Sequence, residues 1–208
     1  MIHLGLDLGE DVAFANVERL VSRAATHGQF VRMDMEESAR VDATLRIYRR
    51  LREAGHENVG TVLQAYLYRS ERDLRELLPI GSNLRLVKGA YLEPPDVAFP
   101  KKADVDRNFF KLIALSLTEG RYTAIATHDD RIIERSIAFI DERRIAGDRF
   151  EFQMLYGVRP GLQRDLVRRG YRVLVATPYG EDWYPYFMRR LAERPANVLF
   201  FVRNLFRR

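Results

Sequence analysis

Short apolar runs rich in Val, Ile, Leu and aromatic residues alternate along the chain with longer segments whose apolar residues recur at helical spacing. That alternation restricts the fold more than any other feature. Parallel strands cannot be joined by tight turns, so each pair needs a crossover segment of a dozen or more residues, usually a helix. Strand-like runs lie at 29–34, 60–65, 84–88, 122–127, 150–155, 172–175 and 198–202. Helical spacing occupies 12–25, 38–54, 70–78, 105–118, 130–142 and 182–194. In the first of these, Val12, Ala15, Leu20 and Ala24 fall near one stripe, with Gly28 as a stop; in the second, Val41, Leu45, Tyr48 and Leu51 do so, ending at Gly55. The stretch 92–100 holds three prolines and reads as a loop.

The pattern is that of a parallel α/β protein. With 208 residues, 47% of them apolar, the chain can bury one core, yet it is short of the roughly 250 residues of a complete eight-unit barrel. No linker, fixed-period repeat or low-complexity tract divides it, so residues 1–208 are expected to form a single domain. The absence of cysteine excludes a thiolate metal site and a cysteine nucleophile and permits a reducing cytoplasm. The first residues lack the basic and apolar regions of a signal peptide, and no apolar run is long enough to span a bilayer. A net charge of +5 and a pI near 9.6 suit an anionic partner, whether nucleic acid, an acidic membrane surface or a phosphorylated cofactor; they suit ordinary solvated helix faces equally.

Polar residues gather where the apolar runs end. Asp34, Gln64, Arg85, Lys88, Thr127, His128 and Gln153 all close such runs, and in a parallel barrel those ends meet on one rim. Asp34 also reads as a helix cap. An inward Gln64 needs hydrogen-bond partners, which a ligand with amide and carbonyl groups would supply. Arg85 and Lys88 point to opposite faces of one buried run, so at least one of them should meet a ligand or a carboxylate. Tyr186 precedes Arg189 and Arg190 by about one helical turn, a spacing that suits capture of a carboxylate and is equally that of a surface pair. His128 is open to acid–base work or to simple hydrogen bonding. The four histidines show no metal-ligand spacing, and neither GxGxxG nor GxxxxGK[ST] occurs.

Six blocks in order, VRMDMEES, TVLQAYLYR, LRLVKGAYLEP, AIATHD, FEFQMLYG and PYGEDWYPYFMRRLAERPAN, resemble the proline dehydrogenase family. The resemblance implies a (βα)8 barrel of TIM type, holding FAD over its carboxyl rim and oxidising L-proline to Δ1-pyrroline-5-carboxylate, with a quinone as electron acceptor and transient contact with the membrane surface. By the same resemblance Arg85 lies beside the flavin N5, Asp34 orients that region, and Met35, Gln64, Val87, Lys88, Gly89, Thr127, His128 and Gln153 contact FAD. Arg189 and Arg190 clamp the proline carboxylate, while Tyr91, Leu155 and Tyr186 pack around its ring. Two positions depart from the family pattern. A first-strand lysine, in a K-L-[ST]-x-L-G context, would stand just before Met1-Ile2-His3-Leu4-Gly5, so the barrel is expected to be incomplete at its first strand and its open edges to favour oligomers. Ala176 stands where relatives carry an aromatic hydroxyl. A flavin-binding remnant with impaired turnover and, from charge alone, a basic nucleic-acid-binding module are the alternatives; no nucleic acid is expected on the leading reading.

Overall fold

The computed structural model describes residues 1–180. Six parallel strands form one sheet in sequential order: β1 (Val31–Met33), β2 (Val59–Gln64), β3 (Asn83–Val87), β4 (Tyr122–Ala126), β5 (Phe150–Leu155) and β6 (Val173–Ala176). Every neighbouring pair is joined through a helix: α2 (Val41–Glu53), α3 (Ser70–Leu77), α4 (Lys102–Glu119), α5 (Asp130–Arg143) and α6 (Pro160–Arg168), with α1 (Glu10–Ala25) preceding β1. Sequential parallel order with helices outside is the wall of a TIM-type barrel, here six strands of it among the described residues. The expected helix at 182–194 and strand at 198–202 lie outside the described residues.

The pleat sorts side chains to two faces. On β2, Leu63 turns outward to the helices while Val62 and Gln64 line the barrel interior; on β5, Phe152 goes outward and Gln153 inward. Outward residues meet fully buried helix residues such as Leu45, Tyr48, Leu74, Phe109 and Leu112, which make one continuous core between sheet and helices. Burying each of these is worth about 1.5–3 kcal/mol, so this layer, not the polar interior, holds the wall together. Ion pairs link adjacent helices over the top of it: Arg50–Asp11 at 2.9 Å, with Arg46–Glu10 beside it, joins α2 to α1, and Arg169, which caps the end of α6, meets Glu134 of α5 at 2.7 Å.

Three expectations are corrected. On α1 the buried stripe is Ala13, Val17 and Val21; Val12, Ala15 and Leu20 are exposed. The helix is apolar enough on two sides that spacing alone picks the wrong one; the stripe that docks is the one packed into the core, with the exposed Arg46 and Arg50 pairs and Arg50 over the Phe14 ring at 4.1 Å beside it. The segment 38–54 begins as a 3-10 turn over Ser38–Arg40 before α2 proper. Helix α6 has no counterpart in the spacing analysis, because Leu166 is its one buried residue and a short helix with so small an apolar face leaves little periodicity. The loop at 92–100 is irregular as expected, and it is pinned: Phe99 N donates to Tyr66 O at 2.8 Å and Tyr68 N to Val97 O at 3.1 Å.

Candidate active site

The carboxyl ends of the strands enclose a cavity of about 510 Å³. Asp34 and Met35 reach it from the end of β1, Gln64 from β2, and Arg85, Val87, Lys88, Gly89 and Tyr91 from β3 and the turn beyond. Thr127 and His128 come from the end of β4, Gln153 and Leu155 from β5. The twelve rim residues singled out by sequence that fall within 1–180 are thus brought together on one surface. Tyr186, Arg189 and Arg190 lie outside the described residues.

Arg85 sits at the centre. Its Nε donates to Gln153 Oε1 at 2.6 Å and its Nη1 to Asp34 Oδ1 at 2.6 Å, so one guanidinium edge is fixed by β5 and another by β1. Gln153 is nearly buried, and its Nε2 donates to Glu151 Oε1 at 2.6 Å. Below lies a layer the sequence reading did not include: Arg32, Glu151 and Tyr122. Arg32 donates to Asn83 O at 2.7 Å, to Asn83 Oδ1 at 2.5 Å and to Thr61 O at 3.1 Å. Gly60 makes room for it, since a Cβ there would stand 2.4 Å from Arg32 Nη1 and 2.5 Å from Asn83 O. Burial, with the Arg85 charge adding to it and Glu151 opposing, pulls the Arg32 pKa down to about 10, so the group stays charged. Burial and then the Glu151 carboxylate push Tyr122 up to about 12. The signal for this layer was the two-residue strand period counted back from Asp34 and Gln153.

Lys88 needs no ligand to balance its charge. Its Nζ lies 2.5 Å from Asp106 Oδ1 and 2.7 Å from Asp129 Oδ2, so the pairing required by burial is met within the chain, as it is for Arg85. Burial raises both carboxyls, but the lysines beside them outweigh it and hold both below their ordinary range. Asp129 also caps α5, accepting from Arg131 N at 3.1 Å. His128 Nε2 accepts Leu155 N at 2.9 Å, and burial, assisted by Arg159, pulls its pKa down to about 4, which favours the neutral ring. It joins the ends of β4 and β5. Thr127 Oγ1 accepts Asp129 N at 3.2 Å and shapes the same turn.

Two features ask for a ligand. Gln64 is 3% exposed and its Oε1 has no hydrogen-bond partner among the described residues, although such an atom ordinarily finds one. Gly89 has φ 112°, and a Cβ there would stand 2.1 Å from Tyr66 Cδ1, so the chain passes over the Tyr66 ring where no side chain fits and exposes main-chain groups to the cavity.

Fold and cavity define a TIM-type barrel protein with a cavity at the carboxyl mouth of its strands, where a few polar groups converge among apolar side chains. Residues 2–203 match the family described as proline dehydrogenase. The chain is 50% identical to proline dehydrogenase 2 of Bacillus subtilis (strain 168) over 99% of its own length and 67% of that protein's. It is 51% identical to proline dehydrogenase of Deinococcus radiodurans over 95% of this chain and 64% of the relative. Among solved structures, proline utilization A from Bdellovibrio bacteriovorus, inactivated by N-propargylglycine, superposes with a TM-score of 0.78 at 26% identity over 84% of this chain and 20% of that one. The chain belongs to the proline dehydrogenase family, and it spans about two thirds of the length of the curated relatives named. This is a family of oxidoreductases of proline catabolism and is in general flavin-dependent.

A flavin fits the residues present. The unpartnered Gln64 Oε1 can accept an N–H of a flavin ring, and Arg85 can face its electron-accepting region.

Proposed function

We propose that this chain, acting as one barrel unit over residues 1–208, carries out the FAD-dependent oxidation of L-proline to Δ1-pyrroline-5-carboxylate and passes the electrons to a quinone. The observation that carries the reading is the meeting of Arg85, Gln153, Asp34 and the unpartnered Gln64 Oε1 on one cavity at the strand mouth. FAD, when bound, supplies the hydride acceptor. The protein's part is to hold and orient. Arg85 provides fixed positive charge, Asp34 and Gln153 keep it in place, and Gln64, Gly89 and the end of β4 offer polar groups, with Met35, Val87 and Thr127 beside them. Lys88 acts through the loop ends it ties to Asp106 and Asp129 as much as through contact. Tyr91 and Leu155 line the place of the proline ring, and Tyr186, Arg189 and Arg190 are assigned to its carboxylate by resemblance.

Among the described residues no helix is long and apolar enough to cross a membrane. A cytoplasmic protein touching the membrane surface to reach its quinone is part of the proposal. The basic excess does not favour nucleic acid, because arginines of the helical layer are paired with neighbouring carboxylates. The test is reconstitution with FAD followed by anaerobic addition of L-proline. Bound flavin should appear in the protein fraction and bleach; a protein fraction that takes up no flavin overturns the reading.

A further inference from the structure

Glu151 lies one pleat below the cavity and is not among the residues lining it, yet it is bonded to the Gln153 amide that faces Arg85. A glutamine amide has two orientations that differ by exchange of its oxygen and nitrogen. Here Nε2 donates to Glu151 Oε1 at 2.6 Å and Oε1 accepts Arg85 Nε at 2.6 Å. The exchanged orientation would set carbonyl oxygen against carboxylate oxygen and amide hydrogens against guanidinium hydrogen, two repulsive contacts replacing two attractive ones. A carboxylate can only accept, and the Arg85 Nε–H can only donate, so the two ends of the chain of bonds allow one orientation. Asp34 is too exposed, at 75% of its side chain, to impose it from the other side.

We propose that Glu151 is a positioning residue for Arg85, acting through Gln153: it locks the amide so that the guanidinium presents one fixed edge to the cavity. The inference deepens the flavin reading above and rests on it for its catalytic consequence, although its structural half stands in the ligand-free chain.

The first measurement needs no flavin. In nitrogen-15 spectra the Arg85 Nε–H, assigned by its absence in Arg85→Lys, should exchange slowly with water in the native chain and in Glu151→Gln, whose amide oxygen still accepts from Gln153. In Glu151→Leu it should exchange at least about tenfold faster, as a charge-assisted bond worth more than ~1.4 kcal/mol is released. In the flavin-loaded protein, Glu151→Leu should shift the visible absorption of the bound flavin and slow its reduction at saturating proline by about tenfold, with Glu151→Gln within about threefold of native. In a Gln153→Met background, changing Glu151 to Gln or Leu should add nothing, because the residue through which it acts is gone; Glu151→Ala, which removes the acceptor with a smaller side chain, serves if Glu151→Leu does not fold. Native exchange of Arg85 Nε–H in Glu151→Leu overturns the proposal, and so does a Glu151→Gln chain as impaired as Glu151→Leu. Failure of the native protein to take up FAD overturns the flavin reading and leaves the exchange result to decide this one.

Discussion

Replacing Arg85 with methionine separates the two things its guanidinium does, and the two losses differ greatly in size. For stability, the bond to Asp34 ends on a carboxylate that is 75% exposed, so it is screened and worth under ~1 kcal/mol. Removing the Arg85 Nε–H leaves the nearly buried Gln153 Oε1 without its donor, at a cost of about 1–3 kcal/mol. Against this, Arg32 is freed of a like charge and the methionine packs where the arginine stem lay. The net loss should be about 1–2 kcal/mol, a fall of only a few degrees in Tm for a chain of this size. For catalysis, a preorganised charge at a reacting centre is worth roughly 10²–10³ in rate. Rapid-mixing measurements of flavin bleaching by L-proline, paired with thermal melting of the same preparations, should give a reduction rate at least about a hundredfold lower in a folded protein. Bleaching at the native rate, or loss of rate only in proportion to unfolded protein, would refute the placement of Arg85 at the reacting centre.

Gly89→Ala should cost ~1–3 kcal/mol from backbone strain alone and displace the Tyr66 ring, so melting should move down and FAD uptake should be lost together. Because the folded His128 pKa lies near 4, below its unfolded value of about 6.5, the unfolded chain binds more protons between those pH values. Stability should therefore fall as pH drops from about 6.5 to 4, by roughly 2–3 kcal/mol in urea titrations, with His128→Gln flattening that slope. Glu93 accepts from Ser38 N at 2.6 Å and from Ser38 Oγ at 2.5 Å and lies 3.5 Å from the Tyr66 hydroxyl, so Glu93→Ala should loosen the 92–100 loop, seen as faster hydrogen exchange or proteolysis there. Phe152, fully buried against Tyr171 at 5.7 Å between ring centroids, should cost about 3–5 kcal/mol when cut to alanine, by chemical denaturation.

The strand positions, their parallel pairing and the gathering of the rim residues were legible because burial of both faces of a barrel wall makes each strand a short, nearly continuous apolar run, and polar residues that break the run stand at its ends. Gln64, Arg85 and Gln153 could be picked out for that reason. Helix α6 was not legible, because its apolar face is too small to leave a period; the stripe on α1 that meets the core and the pairing within the Arg32–Glu151–Tyr122 layer were not, because both are decided by residues far away in the chain. Two apolar faces on one helix look alike until the sheet and the next helix close over one of them. A lysine at the end of a strand needs a ligand or a carboxylate, and which carboxylates balance it is decided only when Asp106 and Asp129 fold against it. Local spacing carries the information for which way a side chain points from its own backbone; what it meets there, and hence its charge state and its freedom to bind anything else, arises only when strands and helices distant in sequence close around it.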